Sequence, residues 1–197
     1  MASGLKAIKA VFLDRDGTIV EDTGHLHERE KVRFFPGVAE AIKLLNEKGF
    51  KVIVVTNQAG VARGLYTEET VRELNSYIQE CLAGQEAIIE RFYYCPHHIE
   101  GVVEEYRKVC DCRKPNPGMI QQAVCDFDID LKSSFVIGDN LSDVEAGRRA
   151  GCRTILLASS RSGAMDESDL KVTSENRPDH IAGDLYEAVQ WLLKSTG

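Results

Sequence analysis

Asp14 and Asp16 stand two residues apart, directly after the apolar run Ala10-Val11-Phe12-Leu13. A buried strand therefore ends in two carboxylates that can divide the labour of a group transfer. Asp14 can meet a cation and attack an electrophile, and Asp16 can carry a proton. Gly17 lets the backbone turn sharply and approach a ligand closely, and Thr18 supplies a capping hydroxyl. Together they suggest phosphoryl transfer through an aspartyl-phosphate, a recognised form of covalent catalysis. A plain strand end with an Asp-Gly turn has the same letters, so the rest of the chain must decide.

Three further segments carry matching chemistry. The apolar run 52–55 ends at Thr56 and Asn57, a hydroxyl and an amide able to hydrogen-bond phosphoryl oxygens. The stretch 58–64 is small and flexible in composition, and its one cation, Arg63, is a candidate substrate contact. Arg113 and Lys114 precede Pro115; the first offers a planar fork to phosphate and the second a compact charge. After the apolar run 135–137 come Asp139 and, four residues on, Asp143. Mg²⁺ prefers octahedral oxygen ligands and retains some water. Asp14, Asp16 through its backbone carbonyl, and Asp139 are its candidate ligands, with Asp143 a further one. Asp143 also suits a helix N-terminus, where the dipole favours an acid.

A second cluster has softer ligands. Cys95, His97, Cys110 and Cys112 form a C-x-H arm and a C-x-C arm around a loop. Three thiolates and an imidazole suit a closed tetrahedral Zn²⁺ of structural type. His98 is the rival imidazole. Such a zinc would staple the loop over 95–112 and leave Arg113 and Lys114 just beyond its last ligand, positioning cations without performing hydrolysis. Cys81, Cys125 and Cys152 fall on periodic segments and are expected to be buried apolar residues.

The elements that must position these groups alternate in type. Strand patterns lie at 8–13, 51–56, 89–94, 134–137 and 154–157, with a short one at 180–181. Helical patterns lie between them at 38–48, 68–82, 118–125, 142–150 and 185–194. Pro36-Gly37 starts the first helix and Gly49 stops it, while Thr67 caps the second with two acids behind it. The polar stretch 158–177 is expected to be a loop. Alternating strands and helices predict an α/β, Rossmann-like three-layer parallel sheet with helices on both faces. Ligands of such sheets sit at the carboxyl ends of the strands, beside a topological switch point, where Asp14, Thr56 and Asp139 all fall.

Composition sets the outer bounds. With 197 residues, 43% of them apolar, the chain is expected to form one domain without staples. A net charge of −7 argues against a nucleic-acid partner. No apolar run approaches the ~20 residues of a membrane span, and the N-terminus lacks the apolar core of a signal peptide. A cytoplasmic protein is the expectation, with its thiols reduced and a monomer as the default state.

The four catalytic segments, in this order and over nearly the whole chain, resemble the haloacid dehalogenase superfamily of phosphotransferases. The resemblance implies Asp14 as nucleophile, Asp16 as general acid/base, Thr56 and Lys114 on the phosphoryl oxygens, and Asp139 completing a Mg²⁺ site. It also implies little or no cap domain, which the short intervals 18–51 and 64–113 match. Cys95-Pro96-His97-His98 and Cys110-Asp111-Cys112-Arg113-Lys114-Pro115, with Thr56-Asn57-Gln58 and Ala62-Arg63-Gly64, narrow it. They resemble the branch that hydrolyses the 7-phosphate of D-glycero-D-manno-heptose 1,7-bisphosphate. On that pattern the substrate is a small phosphorylated sugar, and Asp22 and His25 lie in a substrate loop. Arg63 or Arg113 would then meet the distal phosphate. Asn140 departs from the lysine often found after the aspartate of this segment, which bears on anomer and sugar choice. Histidinol-phosphate phosphatases share the zinc loop and are the nearest alternative. A polynucleotide 3′-phosphatase and a zinc-stapled binding module without catalysis are the more distant ones.

Overall fold

The computed structural model describes residues 8–158, 173–174 and 176–196. The loop expected over 158–177 falls largely outside these residues. In chain order the elements are β1 (Ala10–Leu13), α1 (Val38–Glu47), β2 (Lys51–Asn57), α2 (Ala59–Ala62), α3 (Glu68–Ala83) and β3 (Arg91–Cys95). There follow α4 (Gly118–Phe127), β4 (Phe135–Gly138), α5 (Leu141–Ala150), β5 (Arg153–Leu157), β6 (His180–Ala182) and α6 (Leu185–Lys194). Among the described residues the strands form one parallel sheet in the order β3-β2-β1-β4-β5-β6.

Strand alternation divides the core in two. Val11 and Leu13 of β1 and Val52 and Val54 of β2 face α1, α3 and α6. Ala10, Phe12, Ile53 and Val55 point the other way, onto Met119, Ile120 and Ala123 of α4 and Ala146 of α5. Both faces of the central strands are thus buried, as a parallel sheet requires. On α6 the inward row Leu185, Ala188, Val189 and Leu192 is at most 2% exposed. Each of its large side chains contributes about 1.5–3 kcal/mol of burial.

The chain runs outward from β1 to β2 and β3, then crosses back to β4 on the other flank of β1. The switch point therefore lies between β1 and β4, at the ends that carry Asp14 and Asp139. Caps follow the local chemistry. Thr67 accepts from Thr70 N at the start of α3, and Gly37 and Gly49 bracket α1 with φ of 75° and 77°.

Several details differ from the sequence pattern. Ile8 makes an isolated bridge to Ile129 rather than opening β1. Residues 59–62, expected to be flexible, form one helical turn because Val61 and Ala62 bury their side chains. Cys152 is buried, but Cys81 is half-buried and Cys125 is exposed. The inward positions of α4 go to Met119, Ile120 and Ala123, which turns Cys125 to solvent. Among the described residues no helix is long and apolar enough to cross a membrane.

Candidate active site

A polar cleft of about 420 Å³ opens at the carboxyl ends of β1, β2 and β4, floored by Asp14, Asp16, Thr56, Lys114 and Asp139. The parallel ladder brings it about, since β1 pairs with β2 on one side and β4 on the other. Asp14 N also donates to Ile137 O at 3.0 Å. Gly17 then turns with φ +84°, and a Cβ there would lie 2.4 Å from an Asp139 carboxylate oxygen. Glycine at this position lets the third aspartate close onto the first pair.

Lys114 is the electrostatic centre. Its ammonium lies 2.9 Å from Asp14 Oδ1 and 2.5 Å from Asp143 Oδ1, and it donates to Val55 O at 2.8 Å. Burial works against its charge, but Asp14 and Asp143 outweigh burial and raise its pKa above the ordinary lysine value. Asp14 moves the opposite way for a carboxylate. Burial pushes it up to about 8; Lys114 opposes the rise, and Asp143, Asp139 and Asp16 add to it. Asp14, Asp139 and Asp143 each place a carboxylate oxygen within 4.8 Å of the others. Three carboxylates against one ammonium leave a formal charge of −2, the deficit one divalent cation removes. Asp143 Oδ1 is buried, with the Lys114 ammonium as its ion-pair partner. An all-oxygen donor set of this kind fits Mg²⁺.

Asp16 is held by residues the sequence left without a role. Arg15, fully buried, aims Nε and Nη2 at both of its carboxylate oxygens, the shortest contact being 2.9 Å. Arg15 is itself fixed by Asn75 Oδ1 at 2.9 Å and Leu26 O at 3.3 Å. Gln58 Nε2 donates to Asp16 Oδ2 at 2.8 Å and to Thr56 Oγ1 at 2.9 Å, while its Oε1 accepts from Tyr66. Burial pushes the Tyr66 phenol up to about 12, so it remains a donor. Gln58 thus ties Asp16, just past the end of the first strand, to the second strand's hydroxyl. The adjacency of Arg15 to two acids was the one sequence signal for this network.

Around the rim, Asp22, His25, Arg63, Arg113 and Asn140 all line the cleft. Asp22 closes a turn by accepting from Gly24 N, and His25 Nε2 lies 3.2 Å from Arg63 Nη1. Asn57 also reaches the cleft, but its side-chain amide brackets the Lys114 backbone, donating to Lys114 O at 3.1 Å and accepting from Lys114 N at 3.0 Å. This bracket fixes the backbone from which the Lys114 side chain reaches the cleft. Asn140 caps α5. Its Oδ1 accepts from Ser142 N, and Asp143 Oδ2 accepts from Asn140 N in return.

Cys95, His97, Cys110 and Cys112 converge some residues away, with donor atoms within 4.8 Å of one another. The thiols are free, with Sγ···Sγ distances of 3.0–3.5 Å, and His97 Nδ1 lies 3.3 Å from Cys112 Sγ. A tetrahedron with ~2.3 Å metal–sulfur bonds has edges near ~3.8 Å, so the set is close to closing on an ion. A hydrogen bond from Cys95, helped by Cys110 and His97, brings the Cys112 thiol down to about 5. His98 stands outside the cluster and accepts from Glu100 N. Burial, Arg113 and Arg63 hold it below the ordinary imidazole range.

A parallel sheet that brings a carboxylate pair, a hydroxyl, a buried lysine and a third aspartate to one crevice defines a phosphotransferase of the haloacid dehalogenase type. Residues 11–88 match the haloacid dehalogenase-like hydrolase family model, and residues 111–188 match a HAD-hydrolase-like one. The chain belongs to this hydrolase family. Most of the cysteine loop lies between the two matched segments. The chain is 44% identical over 191 residues to the D-glycero-D-manno-heptose-1,7-bisphosphate 7-phosphatase of Chlorobaculum tepidum, covering 94% of each. It is 40% identical to the D-glycero-beta-D-manno-heptose-1,7-bisphosphate 7-phosphatase of Escherichia coli K12, covering 96% of each. The crystal structure of D,D-heptose 1,7-bisphosphate phosphatase from B. bronchiseptica, complexed with magnesium and phosphate, superposes with a TM-score of 0.81 at 28% identity. That match covers 95% of this chain and 99% of the other.

Proposed function

We propose that this chain removes the 7-phosphate of D-glycero-D-manno-heptose 1,7-bisphosphate by way of an aspartyl-phosphate, in the supply of activated heptose for lipopolysaccharide or other surface glycans. The observation that carries the reading is the Lys114 ammonium seated between Asp14 and Asp143 at the β1/β4 switch point. The chain in which it sits is alike over nearly its full length to 7-phosphatases.

In this reading Asp14 attacks phosphorus in line with the departing sugar oxygen. Asp16 gives that oxygen its proton and later takes one from the water that hydrolyses the acyl phosphate. Thr56 and Lys114 hold the equatorial oxygens, where charge gathers in the transition state. Asp14, the backbone carbonyl of Asp16, and Asp139 would hold Mg²⁺, with Asp143 beside them. The ion would keep Asp14 ionised and offset the negative charge of the phosphate. Arg15 and Gln58 fix Asp16 from two sides, so that its proton is exchanged at one place. Arg63 and Arg113 on the rim face the phosphate that is not cleaved. The cysteine loop would hold a structural Zn²⁺ through Cys95, His97, Cys110 and Cys112, as the one elaboration of a single domain over 1–197.

Phosphate release tests the assignment, with both heptose bisphosphate anomers, histidinol phosphate and a 3′-phosphorylated oligonucleotide compared side by side. A heptose anomer is expected to show the highest kcat/KM, and activity is expected to vanish in Asp14→Asn. A higher value for histidinol phosphate or the oligonucleotide overturns the substrate. Elemental analysis of protein purified without chelator is expected to find about one zinc per chain, and finding none removes the zinc.

A further inference from the structure

Arg63 is held by an element far from it in sequence. It ends the single turn α2, and the carbonyl of Ala62, immediately before it, accepts two backbone hydrogen bonds from the tip of the cysteine loop. These come from Val102 N at 2.8 Å and Val103 N at 3.0 Å. The close approach depends on Gly101. A Cβ at that position would stand 2.9 Å from both the Ala62 Cβ and the Ala62 oxygen. The φ of Gly101 is outside the left-handed region, so what glycine supplies here is space. Just after the turn, a Cβ at Gly64 would meet the Val102 and Val103 side chains at 3.5 and 3.6 Å, and His25 meets the Arg63 guanidinium. Arg63 itself is exposed on the cleft rim.

We infer that the loop tip 101–103 is a positioning element for Arg63, and through it sets the preference for a substrate carrying a second anionic group. The inference rests on the proposed function, in which Arg63 meets the uncleaved phosphate. The cysteine loop then serves the cleft twice. Its base leads into Arg113 and Lys114, and its tip clamps the turn that presents Arg63. A single helical turn has little stability of its own, so the clamp decides where its last residue points. An ångström of displacement is enough to cost a cation its hydrogen bonds to phosphate.

The test compares D-glycero-D-manno-heptose 1,7-bisphosphate with the matching 7-monophosphate, which lacks only the distal group. The readout is the ratio of their kcat/KM values. A partly misfolded preparation lowers both values equally, so the ratio survives imperfect folding. Gly101→Ala is expected to lower the ratio at least about tenfold, the loss attending one charge-assisted contact. Val103→Pro removes one of the two donors at a φ of −83°, which proline accepts, and is expected to act in the same direction. Arg63→Ala should lower the ratio as far or further. Adding Gly101→Ala to Arg63→Ala should lower it no more, because both act through one guanidinium. If the wild type discriminates but both tip variants keep its ratio within twofold, the positioning role is overturned alone. If the wild type shows no preference for the bisphosphate, the reading of the distal site falls and this inference falls with it.

Discussion

Replacing Lys114 by methionine keeps the volume of the side chain and deletes its charge. Asp14 and Asp143, both within 2.9 Å of that charge, are left facing each other and Asp139. Breaking a buried ion pair by removing one partner costs about 3–5 kcal/mol. The low end applies here, because Asp14 is already raised to about 8 and can take a proton instead of holding an unpaired charge. For a chain of this size, about 3 kcal/mol corresponds to a fall in Tm of about 6–12 °C. A divalent cation among the same carboxylates supplies the missing positive charge. Millimolar Mg²⁺ should therefore raise the Tm of the variant by more than it raises that of the wild type. A ligand at a hundred times its Kd stabilises by about 2.7 kcal/mol, enough to recover most of the loss. Activity should not return, since in the proposed mechanism the ammonium also holds the phosphoryl oxygens and no ion at the carboxylates takes that place; kcat should stay about 10²–10³-fold down. Differential scanning calorimetry of Mg²⁺-free protein, with and without added Mg²⁺, checks the stability and phosphate release checks the turnover. A variant as stable as the wild type without Mg²⁺ would refute the charge balance drawn for the site. So would Mg²⁺ restoring activity together with stability.

Asp14 also makes the Mg²⁺-free protein sensitive to pH. Its carboxyl binds a proton in the folded state up to about pH 8 but releases it near 3.8 when unfolded, so the folded form holds more protons between these values. Stability from this group is present at low pH and is lost as pH rises toward 8. The slope of Tm against pH in that window should flatten in Asp14→Asn and in saturating Mg²⁺, and an unchanged slope in Asp14→Asn counts against the assignment. Cys112→Ser should lower bound zinc well below one equivalent by elemental analysis and reduce Tm, because the remaining three ligands cannot close a tetrahedron. Gln58→Leu removes the donor shared by Asp16 and Thr56; kcat should fall about 10–10²-fold as Asp16 loses its second anchor, with circular dichroism unchanged. Asn140→Lys places a cation in the cleft at the expense of the α5 cap. It should lower KM for the bisphosphate while costing about 1 kcal/mol, seen as a Tm lower by about 2–4 °C.

Much of this was legible in the chain before folding. The continuous apolar runs of β1, β2 and β4 and the 3.6-residue period of α6 are readable from the sequence alone. The strand ends therefore placed Asp14, Thr56 and Asp139 correctly in one crevice. The C-x-H arm at Cys95 and His97 and the C-x-C arm at Cys110 and Cys112 named four residues whose donor atoms do converge. Where sequence reading fell short, it did so over partners. Asn57 reads as a phosphate ligand because amides suit that role; that its amide also brackets the Lys114 backbone, 57 positions away, is not legible in the chain. Cys125 looked like a core residue, but the inward row of α4 runs through Ala123 and leaves it in solvent.

The sequence by itself determined which chemical groups stand at the ends of which strands, because strand pleat and helical turn translate spacing directly into faces. Tertiary structure alone decided what those groups do to one another. Arg15 draws its anchors from Asn75 and Leu26, Lys114 joins acids at positions 14 and 143, and Gly101 lets a loop reach Ala62. Coulomb energy and hydrogen bonding depend on separation in space and on the water excluded from the gap, and neither quantity is carried by position along the chain. The pair of aspartates that opens the first strand's exit is a motif in the sequence. It becomes a charged, three-carboxylate site only when the sheet closes around Lys114.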